Sequence, residues 1–411
     1  MSRPGPDPRR LLLDCFHAAL RRVEGRRAVS AHLAAHPWDV PAVDLIAIGK
    51  AAEAMAAGAL AHFGARLRRG LLITKQGYLQ GPCDPRLTCL EAEHPVPGPA
   101  SLRAGEALLA FCHAVPAGRP VLVCLSGGAS SLVEVLPPGW TLDHLAALTR
   151  RLLAAGLDIA TMNAVRRAVS RIKGGRLAAH LQGHAVRVLL ISDVPGDDPA
   201  VIGSGPLHPP PPGGLPPLPA DVAVTLAALP PAPVPPPATF ARIRHEIVAN
   251  LAMAKRAAVA HARRRGLPAT LHPEFLDGEA CATGRALAAA LAKGPAGLHV
   301  WGGETVVHLV DRPGRGGRNQ QLALCAAQAL CGSDDRWLLA AGTDGSDGPT
   351  EDAGALVDGG TCRRGARAGR HLARDIAAND AGSFLAASGD LIATGPTGTN
   401  VMDLALGWRA P

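Results

Sequence analysis

Short apolar runs alternate with helical stretches along this chain and restrict it to one class of fold. VDLIAI at 43–48 stops at Gly49 and passes into AAEAMAAGALAHF. LLIT at 71–74, VLVCL at 121–125 and VRVLLIS at 186–192 are further apolar runs, and SLRAGEALLAFCHAV has apolar residues at helical spacing. Beyond residue 238, AMAKRAAVAHARR, PATLH, ATGRALAAALA, LHVW, NQQLALCAAQAL and WLLAAG read helix, strand, helix, strand, helix, strand. Short apolar runs between longer helices are the mark of strands buried on both faces. The chain is therefore predicted to be α/β, with parallel sheets covered by helices in both halves. Ligands on such sheets gather at the carboxyl ends of the strands, so the loops there hold the chemistry.

A length of 411 residues exceeds one ordinary core. Proline crowds the stretch 206–238, where neither a helix interior nor a central strand tolerates it. This predicts an N-terminal α/β domain over 9–205, a proline-rich linker or loop over 206–238, and a C-terminal α/β domain over 239–411. The formal charge of +8 admits nucleic acid, anionic lipid or anionic metabolites as partners. The arginines are spread along the chain, aromatics are only 3%, and no recognition helix accompanies the basic runs, so no nucleic-acid partner is predicted. No apolar stretch approaches the roughly 18 residues of a membrane span. Nine cysteines without a C-x-x-C pair, with Cys15, Cys124 and Cys325 inside apolar runs, read as buried free thiols of a cytoplasmic protein.

Eight glycine-rich loops follow the strands or open the helices. Lys50, one of only five lysines, stands where the first strand enters a helix, and a helix N-terminus suits phosphate. The competing reading is an ordinary surface helix start. Ser126, Gly127, Gly128 and Ser130 form a strand–SGGxSS turn that lets backbone approach an anion, though without the spacing of a Walker A loop. Lys173, Gly174 and Gly175 lie between Arg171 and Arg176. Asp193 ends a buried strand and can hold magnesium or accept a hydroxyl proton, while Asp198 before Pro199 reads as a helix cap. Gly302, Gly303 and Glu304 separate two strand-like runs, and Arg315, Arg318 and Asn319 occupy a turn before a long helix. An arginine presented there can grip phosphate or carboxylate bidentately. Asp344 and Asp347 are further metal candidates, with an acidic surface turn as the alternative. Thr397 and Asn400 lie in GPTGTN, a loop predicted to fold back into the cleft or onto the sheet.

Taken in order, the strings IGKAAEAM, HPVP, CLSGGASSL, MNAVRRAVSRIKGGRLA, ISDVPGDDPAVIGSGP, GGETVV, GRGGRNQQLAL, AGTDGSDGPTEDAGALVD and TGPTGTNVMDL resemble the type II glycerate 2-kinases, many of which carry a hydroxypyruvate reductase label. The resemblance runs from about residue 43 to 405. It implies a Rossmann-like three-layer N-terminal domain, a smaller C-terminal α/β domain and an active site in the cleft between them. It also implies ATP and Mg2+, with D-glycerate phosphorylated at the 2-hydroxyl. Lys50 and Arg318 carry over as catalytic residues. The proline run departs from the family, which continues after SGP with a short segment.

The inventory suits phosphoryl transfer, which is mostly positioning and charge neutralisation. Lys50, Arg318 and Asp193 are the catalytic candidates. Ser126, Gly127, Gly128, Ser130, Lys173, Gly174, Gly175, Gly302, Gly303, Glu304, Asn319, Thr397 and Asn400 are the candidates for holding nucleotide or acceptor. Asp193, Asp344 and Asp347 are the candidates for metal. The partners expected are ATP and glycerate, with a homodimer allowed for and no membrane. Two alternatives stand beside this: an NAD(P)H-dependent hydroxypyruvate reductase, although AIGKAAEAMAAG lacks the dinucleotide fingerprint, and a non-catalytic nucleotide- or anion-binding regulator.

Overall fold

The computed structural model describes residues 7–210, 214–230, 232 and 235–411. It divides into a first unit, Gly25–Val248, and a second unit built from the chain up to Glu24 together with Ala249–Pro411.

The first unit is organised by β1 (Val43–Ile48), β2 (Leu67–Lys75), β3 (Leu87–Ala92), β4 (Val121–Leu125), β5 (Val186–Ile191) and β6 (Ile243–Ala249). Their order across the sheet is β3-β2-β1-β4-β5-β6, and the pairs β1–β2, β2–β3, β1–β4 and β4–β5 are parallel. The chain builds outward from β1 to β3, then returns to lay β4 on the other side of β1. The switch point therefore falls between β1 and β4, where a crevice opens at the carboxyl ends of the strands. Ile46, Ile48, Val121, Val123 and Leu125 pack with Ala100, Ala104 and Leu108 of the helix Pro99–His113. The intervening Leu45, Ala47, Leu122 and Cys124 are buried too, on the face covered by the helix Ala52–Phe63. Burial on both faces is why these strands read as continuous apolar runs.

The second unit carries β7 (Ala269–Leu276), β8 (Gly297–Gly303), β9 (Arg336–Gly342), β10 (Gly354–Asp358), β11 (Leu391–Ile392) and β12 (Asp403–Arg409), ordered β11-β10-β9-β12-β8-β7. Here the expectation of a parallel sheet is corrected. Only β7–β8 is a parallel pair, and the pairs β8–β12, β9–β12, β9–β10 and β10–β11 are antiparallel. The cause is topological. β12 enters between β8 and β9 from the chain end, and the short connection from β9 to β10 permits only a reversal. The helices Ala280–Lys293 and Arg318–Leu330 pack with Leu338, Ala340, Ala355 and Ala405 on one face.

Two features bear on the expected boundary. The helix Pro8–Val23 belongs to the second unit, where Arg9 pairs with Asp358 at 2.7 Å and Asp390 at 2.9 Å. The described residues of the proline-rich 206–238 stretch lie within the first unit, and β6 after them joins the first sheet. It also contains a helix, Ala220–Ala227, whose Val222 packs with Leu145, Leu148 and Leu152. Residues 211–213, 231 and 233–234 of this stretch lie outside the described residues. Cys15 and Cys124 are buried free thiols, whereas Cys325 is disulfide-bonded to Cys281, a correction to its reading as free. Among the described residues no helix is long and apolar enough to cross a membrane.

Candidate active site

In the first unit the switch point is built by backbone. Gly49 has φ +129°, and a Cβ placed there would lie 2.2 Å from the Ser126 hydroxyl. Glycine thus lets the loops after β1 and β4 close onto each other. Lys50 N donates to Gly127 O at 2.9 Å, Ala51 N donates to Ser126 Oγ at 3.0 Å, and Ser126 N donates to Ile48 O at 3.0 Å. The Lys50 stem passes the turn at Gly128 (φ +86°), whose missing Cβ would meet the His94 ring at 3.0 Å and Lys50 Cγ at 3.4 Å. Lys50, Ser126, Gly127, Gly128 and His94 are therefore one cluster at the carboxyl ends of β1, β3 and β4. Ser130 Oγ shares a hydrogen bond with Ser204 Oγ at 2.8 Å. Asp193 lies two residues beyond β5, half-buried, and Asp198 Oδ1 accepts from Ala200 N at 2.9 Å in a turn; the short helix that follows begins only at Ile202 with Val201 before it, so Asp198 is not the helix cap expected.

Lys173 lies elsewhere in the same unit. Only 1% exposed, it is ion-paired to Glu134, which is 2% exposed and also accepts from Ser170 Oγ at 2.6 Å. Burial pulls the Lys173 ammonium below its ordinary value, partly offset by Glu134. Gly174 N and Gly175 N donate to Ser204 O (3.0 Å) and Gly205 O (2.8 Å). The turn is thus spent on folding the IGSG segment, and its lysine points into a buried pair.

In the second unit Asp403 opens β12 and pairs in register with both Gly303, the last residue of β8, and Gly342, the last of β9. Its carboxylate takes a two-pronged grip from Arg318, Nε to Oδ2 at 2.6 Å and Nη2 to Oδ1 at 3.0 Å, while Arg318 Nη1 meets Glu304 Oε1 at 2.9 Å. Burial alone would lower the proton affinity of this guanidinium, but Asp403 and then Glu304 more than offset it, so it is held cationic beyond its ordinary range. Asp403 was missed in the sequence. The one sign was its place in TNVMDL beside a glycine-rich loop.

Asp347 does not fit the metal role. It is 1% exposed, and its two oxygens accept from Asn319 N (3.0 Å) and Gln320 N (2.8 Å), with Asn319 Nδ2 at 3.3 Å. It caps the helix Arg318–Leu330, whose N-cap residue Gly317 offers no side chain; a Cβ there would lie 2.4 Å from Asp347 Cγ. Burial pushes the Asp347 carboxyl up to about 7, against the pull of those N–H donors. Asp344 Oδ1 accepts from Ser346 N (3.0 Å) and Oγ (3.1 Å). Among the described residues no three His, Cys, Asp or Glu side chains gather as a metal cage.

The space beside Gly302 and Gly303 is filled by protein: a Cβ on Gly303 would lie 2.1 Å from Leu276 O, and one on Gly302 2.8 Å from a Leu251 methyl. These glycines serve close strand packing. The TVVHL run after Glu304 forms only the bridge Glu279–Val306. Arg315 is tied to Asp352. The GPTGTN loop folds onto the Asp344 loop, with Thr397 Oγ1 donating to Thr343 O, and Asn400 lies three residues before Asp403, where β12 begins.

A model described as Domain of unknown function (DUF4147) matches residues 11–214, and the MOFRL family model matches 297–403. The D-glycerate 2-kinase of Thermotoga maritima is 37% identical over 382 residues, 89% of this chain and 90% of that protein. A protein of Agrobacterium vitis, whose name offers hydroxypyruvate reductase only provisionally, is 36% identical over 96% of this chain and 93% of its own. The crystal structure of the Thermotoga maritima glycerate kinase superposes with a TM-score of 0.84 at 34% identity, covering 98% of this chain and 99% of that one. Two α/β units with these loops at their strand ends, matched over nearly their whole length, place this chain in the glycerate kinase family, as a kinase enzyme.

Proposed function

We propose that the chain transfers the γ-phosphoryl group of ATP to the 2-hydroxyl of D-glycerate. The observation that carries this reading is a cation beside glycine-walled backbone at the strand ends of each unit: Lys50 against the Gly127–Gly128 turn, and Arg318 on the Asp403 fork. In the transfer, the glycerate oxygen bonds to the γ-phosphorus, the bridging bond to ADP breaks, and the hydroxyl proton leaves to a carboxylate. Such a reaction is accelerated mainly by fixed charges around the transferred group.

In this reading Lys50, with the Ser126 loop, holds phosphate oxygens, and Asp193 takes the proton. Arg318 grips a second anionic group. Its Asp403 fork fixes the guanidinium plane, while Glu304, with 43% of its side chain exposed, is the partner an incoming anion displaces. Magnesium would come with the nucleotide, since this ion keeps several waters and binds one or two carboxylates plus substrate phosphates. Asp344 is the carboxylate proposed for it, and it would neutralise phosphate charge. Lys173 is left out of this machinery, as its ammonium is committed to Glu134.

The test is ATP-dependent product formation from D-glycerate, with 2- and 3-phosphoglycerate resolved by phosphorus NMR. NADH oxidation with hydroxypyruvate is run beside it without ATP. Product at the 3-position, or NADH oxidation in place of ATP consumption, refutes the proposal. Lys50→Ala is expected to lower kcat/KM by far more than threefold, a loss well above ~0.7 kcal/mol. A smaller loss removes Lys50 from the mechanism.

A further inference from the structure

The second unit carries a basic groove that the phosphoryl-transfer loops do not use. It lies between the helices Pro8–Val23 and Leu251–Arg264, which pack side by side. Ala18, Ala257 and Ala260 form its floor with Met253. Small residues along a helix contact leave a trough, and long side chains flanking them rise as walls. The walls here are arginine: Arg21 and Arg22 from one helix, Arg256 and Arg264 from the other, around about 530 Å3. An adjoining hollow of about 680 Å3 shares Arg256 and Arg264 and adds Arg263. All five side chains are exposed.

Among the described residues no carboxylate lines either hollow. Arg265, next along the chain, is neutralised by Asp14 at 2.9 Å, but among the described residues no carboxylate pairs with Arg21, Arg22, Arg256 or Arg264. The helix dipole explains part of the pattern, since Arg21, Arg22, Arg263 and Arg264 stand in last turns. It does not explain Arg256, which sits in the second turn of its helix, near the end where a cation is disfavoured. The His261 imidazole beside the groove feels the unbalanced field. Burial, then Arg265 and Arg264, with Arg21 further down, hold it below its ordinary value, and its buried Nε2 has no hydrogen-bond partner among the described residues.

We propose that this groove binds a compact polyanion bearing two or more phosphate groups, at a site sharing no residue with the loops at the strand ends. A hollow of a few hundred Å3 is the size of a small-molecule site. Guanidinium forks lining one hollow from two helices can each take phosphate oxygens two at a time, and several of them together favour an anion of multiple charge. The alanine and methionine floor offers no polar group to read a base or sugar. Phosphate charge therefore sets affinity, and inorganic and nucleoside polyphosphates compete for the same place.

The test is calorimetry on the full chain with inorganic tripolyphosphate, ADP and ATP as separate arms. Three proteins are compared: wild type, Arg256→Gln/Arg264→Gln, and Lys50→Ala, which is aimed only at the loops. Expected are a tripolyphosphate site retained in Lys50→Ala, and loss of at least about tenfold affinity in the groove variant with its kcat/KM for the kinase reaction unchanged. Similar losses in all three arms identify the phosphate chain as the recognised group. A loss confined to ADP and ATP overturns the phosphate-only reading in favour of nucleotide recognition. The site itself is overturned if the groove variant binds tripolyphosphate within about threefold of wild type, or if wild type shows no binding up to about 10 mM. Both substituted arginines are exposed and glutamine is as good a helix former, so the groove variant folds; its melting curve, read beside the binding, verifies this.

Discussion

The pair Glu134–Lys173 separates two roles for a lysine in a glycine-rich turn. Both side chains are nearly inaccessible, 2% and 1% exposed, and Ser170 completes the shell around the carboxylate. Glu134→Gln keeps the shape and removes the charge, leaving an ammonium buried without compensation. Breaking such a pair from one side costs about 3–5 kcal/mol. At 2–4 °C per kcal/mol for a unit of this size, that is a fall in Tm of roughly 6–20 °C. The deficit depends on pH with a definite sign. Lys173 has a folded-state value below its ordinary 10.5, so between that lowered value and 10.5 the unfolded chain holds more protons and stability rises with pH. The variant, lacking the carboxylate, therefore recovers as pH climbs toward 10.5. Glu134→Gln/Lys173→Met removes both charges and is expected to return within about 1–2 kcal/mol of wild type. Thermal unfolding by circular dichroism at several pH values reads all of this. Kinetics on the double variant read the rest: kcat/KM near wild type is expected if Lys173 is structural. A single variant as stable as wild type, or a refolded double variant with activity lost, would refute the reasoning.

Other perturbations address the second unit and the switch point. Arg318→Lys keeps a charge but loses the fork to Asp403, and kcat/KM should fall at least ~100-fold, about 2.7 kcal/mol of transition-state stabilisation; steady-state kinetics check it. Asp347→Asn should flatten a pH slope. The carboxyl at about 7 when folded, against 3.8, means the native state holds the extra proton across that window, so wild type loses up to about 4 kcal/mol relative to the variant as pH rises from 4 to 7. Paired denaturant titrations at pH 5 and 7.5 measure it. Gly49→Ala forces a Cβ to within 2.2 Å of the Ser126 hydroxyl at φ +129°, and should cost about 2–3 kcal/mol or more, with the melting temperature and kcat/KM falling together.

What was legible in the sequence follows the range of the interactions involved. β1, β4 and β5 are buried on both faces, so each announced itself as an apolar run without any knowledge of its neighbours. β3, with its half-exposed pattern, and the two-residue β11 carry no such signal. β12 is fully apolar over most of its length, yet its place between β8 and β9 is decided by pairing with strands that precede it by some 60 to 100 residues. That insertion is what turns the second sheet from parallel to mixed. The same distinction governs the site. Lys50 and the Ser126 turn can be singled out in the sequence because a strand that ends in a glycine-containing turn and opens a helix is a local pattern. The surroundings of Lys173 and Asp347 were not legible because what decides a charged side chain is its partner: Glu134 is 39 positions away, and the two N–H groups on Asp347 are 28 and 27 positions away. Asp403 was invisible for the same reason, its fork with Arg318 spanning 85 positions. A glycine-rich loop with a charge thus marks where backbone can approach closely. Whether it approaches a ligand or another part of the chain depends on the partner, and at Lys50 and Arg318 the turns retain cations at strand ends, where at Lys173 the cation is sealed inside.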